Sequence, residues 1–230
     1  MPDGRNGVIA VIPARRGSKG LPLKNLRPLD GVPMIVHSIR AALAASLVQT
    51  VVVSTEDDEI AAVASTHGAS IVKRPAELAT DTAQNNGVVR HVLESLPGQH
   101  RHVVLLQPTS PLRTAAQIDA CLEPLLRGEV RSAMTITPVE HHPGKTVHLT
   151  GDLVEPFTNE TDMEARRQTM REVYRQNGAV YAVGVEDFLA HDRFYLRPCH
   201  GVVVPAEDSV DIDSDMDLML AELILQKRRR

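Results

Sequence analysis

Tryptophan is absent, and phenylalanine with tyrosine makes up only 3% of the 230 residues. That scarcity removes the aromatic platforms on which single-stranded nucleic acid stacks. The net charge of −4 supplies no general basic field to attract a polynucleotide either, so no nucleic-acid partner is expected. Cysteine is almost missing. Cys121 and Cys199 stand without a Cys-x-x-Cys spacing and read as small buried hydrophobes in a reducing compartment. No apolar run approaches membrane-spanning length, and no leader-like apolar stretch follows the first charges. We therefore expect a cytoplasmic protein without membrane contact. Common signatures are lacking too: no Walker loop, no Gly-x-Gly-x-x-Gly, no Gly-x-Ser-x-Gly elbow and no nucleophilic cysteine context. His141 and His142 have no third ligand at a zinc-like spacing, which argues against structural zinc.

What is present is a core-forming chain, 43% hydrophobic and 23% charged, enough for one large domain or a domain with an excursion. Val8 to Ile12 reads as a buried strand ended by Pro13. A helix opening at Gly31-Val32-Pro33 follows, with Ile35, Val36, Ile39 and Leu43 as its buried face. The alternation continues with a strand at 50–53, a helix reaching His67 and closed by Gly68, and a strand at 70–72. Next come a helix at 86–96, a strand at 102–107, a helix at 115–127 and a strand at 133–137. Strands alternating with helices of this length predict right-handed crossovers and a doubly wound α/β fold around a mostly parallel sheet. From Pro138 to Glu172 the rhythm breaks into polar, charge-rich sequence, read as an excursion from the sheet. Core-like sequence resumes at 178–183, then a short helix near Asp187, a strand at 201–204 and a last helix from about Ser214 to Lys227. The whole of 1–230 is thus expected to be a single domain with 138–172 inserted.

The chemistry is concentrated in loops that follow strands. Ala14 to Asn25 mixes glycine with positive charge: Gly17 and Gly20 would permit positive φ and turn backbone N–H groups toward an anion, while Arg15, Arg16, Lys19 and Lys24 neutralise it. A solvated basic turn is the other reading of the same residues. Arg74-Pro75 and the Gln107 to Arg113 stretch follow two further strands, where open parallel sheets bind ligands. Near the end, Asp211 and Asp213 lie at i and i+2, on one face of an extended segment, a spacing that suits Mg²⁺. Asp215 and Asp217, after Ser214, instead suit the start of a helix. A phosphate loop and a metal pair without a nucleophile point to nucleotidyl transfer onto a bound hydroxyl.

Several motifs then carry a resemblance: Ile-Pro-Ala-Arg-x-Gly-Ser-Lys-Gly-Leu-Pro-x-Lys-Asn from Ile12, Ser-Thr-Glu-Asp from Ser54, Arg-Pro-x-x-Leu-Ala-x-Asp from Arg74 and Leu-Leu-Gln-Pro-Thr-Ser-Pro-Leu-Arg from Leu105. Asn-Gly-Ala-x-Tyr from Asn177 and Asp-Ile-Asp-x-x-x-Asp-Leu from Asp211 complete them. With these, residues 9–218 resemble the N-acylneuraminate cytidylyltransferase family, and the segment from Glu140 to Lys145 is similar to its sialate branch. The resemblance implies a Rossmann-like nucleotidyltransferase that joins CTP to an acidic nine-carbon 2-keto sugar, with Mg²⁺ as cofactor and pyrophosphate released. It implies that Arg15, Ser18 and Lys19 hold the phosphates, Lys24 stabilises charge at the α-phosphate, and Asn25 binds nucleotide. Arg74, Pro75 and Leu78 would line the base pocket, Arg74 donating toward the base. Gln107, Lys145, Arg167, Tyr181 and Phe194 would contact the sugar, and Asp211 with Asp213 would hold the metal. Lys24, Asp213 and Arg15 are the expected catalytic residues. Asn85 stands where the family often has Ser or Thr and is assigned no role. Legionaminate, pseudaminate or Kdo are alternative acceptors, and a non-catalytic sugar-nucleotide sensor is a distant one. Because the excursion carries Lys145, Arg166, Arg167 and Arg171 without a core of its own, we expect a homodimer in which it completes the neighbour's sugar pocket.

Overall fold

The computed structural model describes residues 7–18, 20–96 and 100–229. Seven strands form the main sheet: β1 (Val8–Pro13), β2 (Thr50–Thr55), β3 (Ser70–Lys73), β4 (His102–Leu105), β5 (Ser132–Pro138), β6 (Tyr174–Gly184) and β7 (Cys199–Val203). Their spatial order is β7-β5-β6-β4-β1-β2-β3. All pairings are parallel except those of β6, which runs antiparallel to β4 and to β5. Val8 to Ile12 are fully buried, because β1 is central and covered on both faces, which is why its sequence is continuously apolar rather than alternating.

Helices α1 (Met34–Ala44), α2 (Asp58–Thr66) and α4 (Ala115–Leu126) cover one face, packing Ile35, Ile39, Ile60, Ile118 and Leu122 against Ala10 and Val104. The other face is covered by α3 (Asn85–Ser95) and α5 (Val185–His191), through Val89, Val92 and Phe188. The doubly wound, mostly parallel α/β architecture is therefore as expected. A third, smaller cluster joins Leu21, Leu29, Leu112 and Ile212 to Leu218 of α6 (Asp215–Arg228).

Local differences from expectation have physical causes. Asp30 and Gly31, both at positive φ, turn a tight hairpin pairing Pro28–Leu29 with Val32–Pro33, the preference of Asp-Gly for primed turns. The helix consequently starts at Met34, with Pro33 as its cap. Leu43 is 49% exposed instead of buried: it lies at the rim of α1, over Gly68. The sheet also takes up Tyr174 to Asn177, which polarity had hidden, and a register shift between Gln176 and Tyr181 marks a bulge in β6. Between β5 and β6, Val147–Thr150 pairs with Leu153–Pro156 in a separate hairpin, followed by a helical turn at Glu160–Glu164.

Candidate active site

Strand order reverses between β1 and β4, and the loops leaving their carboxyl ends meet there. The loop after β1 is tied to its neighbours by long-range bonds. Ala14 N donates to Ser54 O at 2.9 Å, and Arg16 N donates to Glu56 Oε1 at 2.7 Å. The Arg16 guanidinium pairs with Asp57 at 2.5 Å, so this cation braces the loop against the start of α2 instead of serving an anion. Asp57 in turn caps α2, accepting from Ile60 N at 2.9 Å.

Neither Gly17 nor Gly20 has a positive φ, contrary to the expectation for both; the left-handed turn falls on Leu23, at φ 52°. Gly20 is needed for another reason. A Cβ there would stand 2.5 Å from the carbonyl oxygen of Asp213, so only glycine lets the basic loop lie against the acidic segment. Ile212, fully buried beside Leu21 and Leu112, pins that segment, and its N donates to Thr109 O at 2.8 Å. Three stretches far apart in sequence are thereby stitched together around one isoleucine.

The result places Lys24 Nζ 2.7 Å from Asp213 Oδ1 and 3.0 Å from Ile212 O. Two of the three ammonium donors are thus used and one remains. Asn25 donates to Arg15 O at 2.8 Å, and Arg15 pairs with Asp81 at 2.8 Å. Asp81 was missed as a site residue, although it closes the Arg74 motif. A cleft of about 250 Å³ is lined by Arg15, Ser18, Lys24, Asn25, Arg74 and Leu78, all expected at the nucleotide. Lys19 lies outside the described residues. Pro75 does not line this cleft among the described residues; its carbonyl accepts from Leu78 N at 3.0 Å and shapes the turn that brings Leu78 in. Arg74 is buried, and its guanidinium donates to Leu78 O and Ser54 O at 3.1 and 2.9 Å and faces Glu56 at 3.3 Å. Burial holds its pKa below the usual arginine value, opposed by Glu56. Those contacts brace Arg74 in the cleft wall and engage at most three of its five N–H donors, while the residue still lines the cleft.

A second cleft, about 500 Å³, adjoins the first through Ala83 and Asn85, which line both. It collects Gln107, Tyr181 and Phe194, three of the five residues expected at the sugar. Burial raises the Tyr181 hydroxyl pKa above the usual tyrosine value. Gly178, at φ 77°, is again a contact glycine: a Cβ would meet Gln107 Oε1 at 2.8 Å. Beneath it Asn177 is buried, its amide donating to Ser209 Oγ at 2.9 Å and accepting from Thr135 Oγ1 at 2.7 Å. Arg113 is also buried, donating to Ala179 O at 2.8 Å, Ser38 Oγ at 2.6 Å and the Gln107 carbonyl. Burial pushes its pKa down to about 9, which leaves it charged at neutral pH. It positions the loop after β4 and takes no part in lining either cleft.

Lys145 and Arg167, expected at the sugar, are not in the clefts of their own chain. Lys145 donates to Met163 O and Ala165 O, each at 2.7 Å, and Arg167 donates to Glu140 O at 2.8 Å beside a separate hollow of about 260 Å³. Both are held by turns of the 138–172 segment itself.

Asp211 and Asp213 are exposed on either side of buried Ile212, so both carboxylates leave the segment on the face opposite the isoleucine. Among the described residues no third His, Cys, Asp or Glu joins them. Neither aspartate lines the first cleft, to which Asp213 is joined through Lys24; two carboxylates there fit Mg²⁺, which keeps waters and takes one or two carboxylates with substrate phosphates. Asp215 and Asp217 do structural work, as expected: Asp217 completes a capping box with Ser214, whose hydrogen bond lowers the Asp217 pKa, and Asp215 pairs with Arg27 at 2.6 Å.

A basic loop at the switch point of a parallel sheet, with a lysine–aspartate pair and a second cleft alongside, defines a nucleotide-binding α/β protein. Within that class the chain belongs to the cytidylyltransferase family, whose profile matches residues 9–195. It is 34% identical to a CMP-N,N'-diacetyllegionaminic acid synthase of Legionella pneumophila, over 95% of this chain and 96% of that protein. It is 31% identical to an N-acylneuraminate cytidylyltransferase of Escherichia coli, over 98% of this chain and 54% of the relative, so it spans about half of that protein's length. Among solved structures, a CMP:2-keto-3-deoxy-manno-octonic acid synthetase complexed with CTP superposes with a TM-score of 0.73 at 17% identity, covering 96% of this chain and 99% of that one. That likeness shows the fold.

Proposed function

We propose that this chain transfers the cytidylyl group of CTP to the anomeric hydroxyl of an acidic N-acylneuraminate-type 2-keto sugar, releasing pyrophosphate. The observation that carries the reading is the Lys24–Asp213 pair, whose lysine lines the first cleft, with a second, partly apolar cleft adjoining that one through Ala83 and Asn85. Arg15, Ser18 and Asn25 hold the triphosphate in the first, with Lys19 on the same loop; Gln107, Tyr181 and Phe194 hold the sugar in the second. Lys24 follows the negative charge that grows on the α-phosphoryl oxygens, an interaction that strengthens in the transition state. The attacking hydroxyl gives its proton to an Asp213 carboxylate oxygen, directly or through a water that it holds. Asp211 and Asp213 would hold Mg²⁺, which supplies charge neutralisation at the phosphates.

We assign the protein to the cytoplasm, where its unpaired cysteines stay reduced, and to a homodimer. Two features support the dimer: Leu149, Leu153, Val154 and Phe157 of the inserted segment are exposed, and its Lys145 and Arg167 serve no cleft in their own chain. A nine-carbon N-acyl acceptor is preferred to Kdo, since the second cleft is walled by Leu105, Met134 and Phe194. The test is a pyrophosphate-release assay across a panel of 2-keto sugar acids. Release should require CTP, Mg²⁺ and the sugar acid together; equal release with the sugar omitted would refute transfer.

A further inference from the structure

The second cleft does not end at Tyr195. Leu105 of β4, Tyr181 of β6, Met134 of β5 and Gly201 of β7 lie in one cross-strand row and so present side chains to the same face of the sheet. Over β4 and β6 that face is covered by Phe188, Phe194 and Leu196. Over β5 and β7 it opens into a trough of about 780 Å³ lined by Met134, Ile136, Pro198, Cys199 and Gly201. Met134 and Tyr195 line both hollows. Tyr195 is the divider between them, half exposed, its hydroxyl accepting from Arg197 Nε at 3.1 Å. The missing side chain at Gly201 is what keeps the floor open: a Cβ there would stand 2.9 Å from Ile136 Cδ1 and push it into the trough.

Polar groups gather on the near side of the divider, where Gln107, Gln176 and Arg193 face the second cleft, whereas the far side, apart from Arg197, is walled mainly by carbon. The largest apolar part that an N-acylated sugar acid of this kind can present is its acyl substituent. We infer that the trough beyond Tyr195 receives the apolar part of an N-acyl group bulkier than acetyl, and that Tyr195 and Gly201 determine which acyl acceptors are used. This inference rests on the acceptor reading proposed above. The occupant follows from continuity: the trough adjoins the acceptor cleft at Tyr195 and Met134, which line both, and apolar area removed from water there favours longer chains.

Cys199 gives a readout that needs no turnover. It lies in the trough and is half-buried, whereas burial pushes the Cys121 thiol up to about 12 and leaves it inert to alkylation. We would follow iodoacetamide labelling of Cys199 by mass, with CTP present and magnesium withheld, while N-acetyl, N-propanoyl and N-butanoyl forms of one sugar acid are titrated in. Half-protection should occur at concentrations lower by about fifteenfold from N-acetyl to N-butanoyl, the product of roughly fourfold for each of the two added methylenes. In Gly201→Val, with the trough filled by the displaced Ile136, that advantage of the longer acyl groups should vanish. No dependence on acyl length in the unsubstituted protein overturns the inference, whether or not Gly201→Val folds. An undiminished advantage in a folded Gly201→Val does the same. Pyrophosphate release absent with every acceptor would strike the transfer reading instead, and the labelling result would still decide the trough.

Discussion

The sheet end where β1 and β4 part and the inserted segment at 138–172 both carry lysine and arginine, but they hold those cations by different means. Lys24 is bonded to residues almost a full chain length away and is backed by a buried cluster of Leu21, Leu112 and Ile212. Arg113 is sunk among the Ala179 carbonyl and the Ser38 hydroxyl from distant parts of the fold and the Gln107 carbonyl of its own loop. Lys145 and Arg167 reach only carbonyls of their own segment, whose apolar side chains at Leu149, Leu153 and Phe157 face outward. Charge at the sheet end is placed by the core; charge in the insert is placed by local turns. A site needs its groups fixed to within a fraction of an ångström, which the first arrangement supplies and the second supplies only when something covers the insert.

The sharpest way to test the first half of that contrast is Lys24→Ala, which should lower kcat by about 10² to 10³, the range for loss of one donor aimed at developing charge. A normal kcat with only a raised KM for CTP would make Lys24 a ground-state binder. Gly20→Ala leaves every charged group in place yet forces the basic loop away from the Asp213 carbonyl. Misplacement of that kind is expected to cost up to about 10² in kcat/KM; a fully active Gly20→Ala would show that the loop and the acidic segment need not touch. For the insert, mixing Lys24→Ala and Arg167→Ala chains should restore about a quarter of normal activity, since half of the randomly paired dimers would each hold one complete site. No recovery, with mixed dimers verified by mass, would remove Arg167 from the neighbour's site. The smallest effect is expected from Asp215→Asn, which loses an exposed ion pair to Arg27 worth up to about 1 kcal/mol and leaves the Mg²⁺ requirement unchanged. Asp211→Asn should instead raise the Mg²⁺ concentration for half activity; equal titrations for the two would cancel the division of roles along this acidic run.

Much of this was legible in the chain because short-range rules govern it. The buried run of β1, the capping of α6 by Ser214 and Asp217, and the alternation of strands with helices each follow from residues a few positions apart. Family motifs correctly gathered Arg15, Ser18, Lys24, Asn25 and Leu78 at one cleft, and Gln107, Tyr181 and Phe194 at another. Misreadings came where a side chain's job depended on a distant partner. Arg16 looks like an anion donor until Asp57 and Glu56 claim its guanidinium and backbone N–H. Tyr174 to Asn177 look like loop until β5 pairs with them.

Gly20 marks the boundary between the two kinds of information. That a glycine stands in a basic loop after a strand is a statement about composition and position, and sequence alone determined it, as it did the doubly wound fold and the membership in a cytidylyltransferase family. Why it must be glycine was decided by tertiary structure: the carbonyl it accommodates belongs to Asp213, nearly two hundred positions later, and only the burial of Ile212 against Leu21 brings the two backbones together. Packing of distant segments is set by the sum of many weak apolar contacts. No local pattern records that sum.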